Sequence, residues 1–214
     1  MDGGNMSIPR FTNTDFAVFQ VEGLESRMAK LKEHIQPKFA AIGEEVATFL
    51  TTLIQDPFYI HIAKHARRTV NPPDETWVAW ATNKRGYKAY PHFQFGLRDS
   101  HLFIWFALIY ECDRKPAFAR QFLAKFDEVW PNIPKYFYIS QDHTRPEVTS
   151  VNNLQPDEVK TILERLEKVK KAEFLCGTLI PKEEAVTLSG EMLINKIEDT
   201  FNKVYPLYQL ASTL

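Results

Sequence analysis

The sequence has little cysteine, little glycine and almost no net charge, and each shortage removes a class of protein. Cys112 and Cys176 are the two cysteines. Neither belongs to a Cys-x-x-Cys pair, so the chain carries no disulfide framework and reads as holding free thiols in a reducing cytoplasm. Its eight glycines form no Gly-x-Gly-x-x-Gly fingerprint, no Gly-rich phosphate loop and no Gly-x-Ser-x-Gly elbow, which sets aside the common dinucleotide, P-loop and hydrolase signatures. With 26 basic and 27 acidic side chains the net charge is −1, too low for nucleic-acid binding by bulk charge. No apolar run reaches the roughly 18 residues a membrane span requires, and no secretory leader is visible. No internal repeat or low-complexity tract is present, and no linker divides the chain.

What is present is a core and one unusual stretch. Hydrophobic residues make up 44% of the 214, enough for a globular interior. Residues 1–10 read as a flexible N-terminal extension, and 11–214 as a single domain. Phe58 to Glu111 is the densest basic and aromatic segment, with four of the six histidines and three of the four tryptophans. Asp56-Pro57 has the form of a helix start, and Asn71-Pro72-Pro73 of a stop. A helix over 57–68 would put His61, Lys64, His65 and Arg68 on one arc, at i, i+3, i+4 and i+7. No acidic residue lies between Phe58 and Pro73 to neutralise them.

A three-stranded meander is expected next: Thr76–Ala81, His92–Leu97 and Leu102–Tyr110, the last apolar enough to be central. Pairing Arg98 with His101 would set Gln94 opposite Trp105 and Gly96 opposite Phe103. One face would then be aliphatic and Phe-rich, the other a mixture of His92, Gln94, Phe103 and Trp105. The flanking segments read as helices at 11–21, 24–35 and 39–53, with Pro37 as a break or kink. Further helices are read from Pro116, Pro156 and Ser189, with strands over 136–140 and 172–180 between them. The class is α+β: one antiparallel-rich sheet of about five strands with helices packed around it.

Gln36-Pro37-Lys38-Phe39, the run from His61 to Pro73, Asn83-Lys84-Arg85-Gly86-Tyr87-Lys88, Pro91-His92-Phe93-Gln94, Trp105-Phe106-Ala107 and Lys170-Lys171-Ala172-Glu173 resemble the YktB-like family. These are uncharacterised proteins of Gram-positive bacteria. The resemblance runs from about Phe11 to Leu210 and implies a cytoplasmic, single-domain α+β protein. It implies no activity, so no catalytic residue carries over.

The chemistry must therefore come from the residues. His61-x-x-x-His65 has the spacing of a helical metal pair, but Ile62 stands where a zinc protease needs Glu, and Lys64 and Arg68 oppose a cation; no metal and no cofactor are expected. Cys112 and Cys176 have no visible base, and the pair within Asp142-His143-Thr144 is adjacent in sequence rather than facing. An anion site fits better. His61, Lys64, His65, Arg68, Lys84, Arg85 and His92 would converge on phosphate, with Trp105 or Tyr87 stacking a base. The bland alternative is a solvated face neutralised by acids such as Glu111 or Asp142. The leading expectation is a binding protein for a phosphorylated small molecule or RNA, with no membrane partner. A histidine acid–base hydrolase or transferase and a non-catalytic interaction scaffold are the alternatives.

Overall fold

The computed structural model describes residues 8–212. Residues 1–7 of the expected extension lie outside that range. Of the remainder, Arg10 donates from Nη2 to the Val186 carbonyl at 2.9 Å, and Lys38 Nζ donates to the Arg10 carbonyl at 2.9 Å. Helix α1 (Asn13–Ala17) begins where Asp15 accepts from the Thr12 N–H at 2.7 Å, a reciprocal cap that satisfies free backbone donors. Helix α2 (Leu24–Lys30) runs through one wide turn, Leu31–Ile35, into α3 (Gln36–Ile54). That turn adjoins Pro37, which has no N–H for the helical ladder, so the backbone spacing opens there rather than breaking.

The segment after α3 is where the sequence misleads. Residues 57–68 form no helix. Tyr59–Ile62 is a strand, β1, paired antiparallel to β2 (Glu75–Ala81) with Ile60 opposite Trp80 and His61 opposite Ala79. The tetrad alternates: Ile60 packs with the core while His61 faces the other side, a period-2 pattern short enough to pass for part of a helix. Gly43 permits this strand to approach α3. A Cβ there would stand 2.9 Å from Ile60 Cγ2, and the Gly43 carbonyl accepts from Trp80 Nε1 at 2.9 Å.

Strands β3 (His92–Arg98) and β4 (His101–Leu108) complete the meander. Their register puts Gln94 opposite Trp105 and Gly96 opposite Phe103, as the hydrophobic pattern requires. Helices α4 (Lys115–Ala124) and α5 (Phe126–Val129) lead to the short β5 (Tyr138–Ser140) and β6 (Thr149–Ser150). Helix α6 (Pro156–Lys168), β7 (Phe174–Pro181), α7 (Lys182–Ala185) and α8 (Gly190–Ser212) close the chain. One antiparallel sheet results, in the order β1-β2-β3-β4-β7-β5-β6. It has seven strands rather than about five. The two unforeseen ones, β1 and β6, are its edges, and edge strands this short carry little periodic signal.

The sheet's two faces differ. Val78, Trp80, Phe93, Phe95, Ile104, Phe106, Phe174 and Cys176 join the helices in the main core. Stripping that surface from water is the principal stabilising term, about 1.5–3 kcal/mol per large apolar side chain. The opposite face carries Trp77, Phe103, Trp105, Ala107, Leu175 and Leu179 in a smaller cluster. It is roofed by the 63–74, 83–90 and 141–148 loops rather than by helices. None of the described helices is long and apolar enough to cross a membrane.

Candidate functional site

The loop-covered face holds the polar chemistry. Four aromatic or imidazole rings run across it. The His61 and Tyr87 ring centres are 5.5 Å apart, and Tyr87 and His92 are 4.9 Å apart. Trp77 donates from Nε1 to the Tyr87 hydroxyl at 2.9 Å. Burial pushes the Tyr87 phenol up to about 12, so it stays protonated. His92 is fully buried, its Nδ1–H donating to the Tyr90 carbonyl at 2.8 Å while Nε2 accepts from the Gln94 amide at 2.8 Å. Burial lowers its pKa to about 3. His92 is thus a neutral spacer with both nitrogens engaged.

Outside this ring row lies a cavity of about 930 Å³, open to solvent. Its cations are Lys64, Arg67, Lys84, Arg85 and Lys88, and its rings are His61, Tyr87 and Tyr90. Glu111 is its one carboxylate, 3.8 Å from Lys88 Nζ. Lys64, Arg67, Lys84 and Arg85 form no ion pair among the described residues. The loop carrying three of these cations is held in shape by its own side chains. Asn83 Oδ1 accepts from the Arg85 and Gly86 N–H groups at 2.8 and 3.3 Å. Asn83 Nδ2 donates to the Tyr90 hydroxyl at 2.9 Å, and His61 Nε2 donates to the Asn83 carbonyl at 2.9 Å. Burial holds the His61 pKa below the ordinary value, against that hydrogen bond. A loop fixed in this way loses little entropy when a ligand binds.

The residues singled out by sequence divide into two groups. His61, Lys64, Lys84 and Arg85 share this cavity. His65, Arg68, His92 and Trp105 do not line it. His65 sits in the left-handed region at φ 50° and bonds Thr76 Oγ1 at 3.2 Å; burial beside Trp77, with Arg68 nearby, lowers its pKa to about 4. Arg68 turns back onto the Asn71 and Pro72 carbonyls, both at 3.2 Å. Trp105 lies under the 141–148 loop with Glu75, Trp77, Gln94, Phe103 and His143, around a void of only about 20 Å³. The single-arc arrangement of His61, Lys64, His65 and Arg68 fails because the backbone there is a strand and a loop.

Comparison with known proteins settles the family. The family described as a domain of unknown function (DUF1054) matches residues 11–208. The chain belongs to that family. A UPF0637 protein of Bacillus cytotoxicus is 47% identical over 207 residues, covering 97% of this chain and 100% of the relative. UPF0637 proteins of Bacillus mycoides and Bacillus anthracis match with the same identity and coverage. These likenesses agree with the YktB-like resemblance, and no specific function is assigned to the family.

In this DUF1054 chain the structure also exposes residues that sequence reasoning passed over. Arg67 and Tyr90 line the basic cavity and were hidden within longer runs. The pair Glu75–Arg98, 2.6 Å apart, joins the edge of β2 to β3. Burial, opposed by Arg98, raises the Glu75 pKa to about 6. His143 finds its acid not in adjacent Asp142 but in Glu173, 2.9 Å from Nδ1. Only the folded topology brings those two together. Cys112 and Cys176 are buried and free, and burial pushes the Cys176 thiol up to about 12, which removes it as a nucleophile.

Proposed function

We propose that this protein is a cytoplasmic binding protein for a phosphorylated ligand carrying an aromatic base, either a nucleotide or a short RNA segment. The supporting observation is the basic cavity. Five cations surround one carboxylate, and four of the five form no ion pair among the described residues. Clustered positive charge disfavours the compact state, and an anion relieves it. Arg67 and Arg85 offer planar forks for bidentate contact with phosphate, while Lys64, Lys84 and Lys88 act as point charges. His61, Tyr87 and Tyr90 supply rings on which a base can stack, a contact worth about 1–3 kcal/mol per base.

Thermal melting tests this directly. A ligand that binds only the folded protein stabilises it by about 2.7 kcal/mol at a hundred times Kd. Nucleoside monophosphates or a short RNA should raise the melting temperature of the native protein and of Arg68→Ala, and not that of a Lys84→Glu/Arg85→Glu variant. If no phosphate ester moves the melt at low salt, the cavity is a solvated surface and the proposal fails.

A further inference from the structure

A second cavity, of about 690 Å³, adjoins the first: Tyr110 lines it, and the next residue, Glu111, lines the basic one. Among its lining residues is His143, which stands between this cavity and the small void beside Glu75 and Trp77 and whose geometry is tightly set. Glu173 accepts from the His143 backbone N–H at 2.7 Å, from the Tyr110 N–H at 3.0 Å and from His143 Nδ1 at 2.9 Å. An ionised carboxylate only accepts, so Nδ1 carries its proton and the ring cannot turn. Nε2 has no hydrogen-bond partner among the described residues. The same cavity is lined by Arg165 and Lys171, both exposed and without an ion pair among the described residues.

Asp142, His143 and Glu173 also come within 4.8 Å of one another, but their donor atoms are already engaged. Asp142 accepts from Thr144 N and Oγ1 at 2.9 and 2.6 Å and faces Arg145 at 3.5 Å. A cation there would have to displace several N–H donors. The open capacity of this cavity is for an anion.

We propose that it is a phosphate monoester site, in which Arg165 and Lys171 hold the anion and His143 donates its Nε2–H. Charge selects the ligand class. With His143 set against Glu173 and Arg145 against Asp142, Arg165 and Lys171 leave two positive charges, which match a monoester dianion and exceed a diester monoanion. The other charged neighbours of His143 are accounted for: Glu75 on β2 is paired with Arg98 on β3, and His92 is neutral at the cost of burial. Burial alone would lower the His143 pKa, but the hydrogen bond and charge of Glu173, aided by Glu75 and Asp142, outweigh it and hold it above the ordinary value. The Nε2–H is lost as pH rises through that pKa. The ligand becomes a dianion above about pH 6, its second pKa. Occupancy therefore falls on both sides of the window between those two titrations. The site stands independently of the basic cavity.

The test is NMR titration of the His143 Cε1–H with methyl phosphate and, separately, dimethyl phosphate. Preferential binding to the charged imidazole by roughly tenfold raises its pKa by about one unit. Methyl phosphate should produce that rise and dimethyl phosphate should not. Lys84→Glu should leave the effect intact. Arg165→Ala/Lys171→Ala, two exposed positions, should abolish it with the melt unchanged. An unmoved His143 pKa, an equal response to the diester, or full retention in the Arg165→Ala/Lys171→Ala variant would each overturn the proposal.

Discussion

Glu173 and His143 stand thirty residues apart in the chain and 2.9 Å apart in space. Glu173, at the entrance to β7, takes up a backbone N–H from Tyr110 and another from His143. One buried carboxylate thereby ties the end of the β4 segment to the 141–148 loop that roofs the sheet.

Removing that carboxylate leaves three donors without an acceptor. Glu173→Ala should destabilise the protein by about 3 kcal/mol or more, the usual cost of stranding one side of a buried charged network. Urea unfolding measures it. A loss below about 1 kcal/mol would mean the loop is held by other contacts.

The pH dependence of stability has two limbs. The His143 pKa is raised in the folded state, so its contribution is fully present below the unfolded value and lost as pH rises through the folded one. His92 is the opposite case, lowered to about 3 by burial. Its contribution is present above the unfolded value and lost as pH falls from there toward 3, at about 1.4 kcal/mol per pH unit. His65 and His101, both lowered to about 4 mainly by burial, act in the same direction. His143→Gln should flatten the alkaline limb, and His92→Gln the acid limb, in denaturation series across pH. Unchanged limbs in both variants would contradict the assigned protonation states.

Two glycines on the loop-covered face separate backbone from side-chain constraint. A Cβ on Gly177 would run into the Ile104 carbonyl, whereas one on Gly96 would meet the Phe103 ring. A backbone strand cannot move aside, but a ring can swing. Gly177→Ala should therefore cost at least the roughly 1–3 kcal/mol typical of overpacking, and more than Gly96→Ala. Thermal melts of the two variants decide the order, and the reverse order would show that Phe103 is the more rigid neighbour.

Much of this fold is legible in the sequence because the meander encodes its own register. Phe93, Phe95 and Leu97 alternate with His92, Gln94 and Gly96, and a one-residue slip would turn every one of them to the wrong face. The helix stripes are equally explicit, as at Phe118 and Phe122. The edges are not. Tyr59–Ile62 is a strand only because β2 is there to pair with it, and Asp56-Pro57 imitates a helix start. His61, Lys64, Lys84 and Arg85 still line one cavity despite that error, and Lys84 and Arg85 do so because they sit in a loop whose Asn83 turn is local. His65 and Arg68 drop out because a helical arc assigned their directions. The pairing of Glu173 with His143 had no signal: nothing at either position announces a partner on another element.

Salt dependence distinguishes phosphate binding from hydrophobic stacking in the basic cavity. For single strands the logarithm of the binding constant falls by about 0.7 per decade of salt for each phosphate neutralised. Arg67→Ala, inside the cavity, should weaken an RNA hexamer and make that slope shallower. Arg68→Ala, bonded to Asn71 and Pro72, should change neither. Equal effects from the two arginines would point to a diffuse surface rather than a built cavity.

Phosphate binding in the basic cavity is read residue by residue by amide chemical-shift mapping of the full chain titrated with a nucleoside monophosphate at low salt. The largest shifts should fall on His61, Lys64, Arg85, Gly86 and Lys88, saturating together, and should vanish in Lys84→Glu/Arg85→Glu. Shifts confined to α3 or α8 on the opposite side of the sheet, or no saturable shift at all, would show that the cavity takes no phosphate.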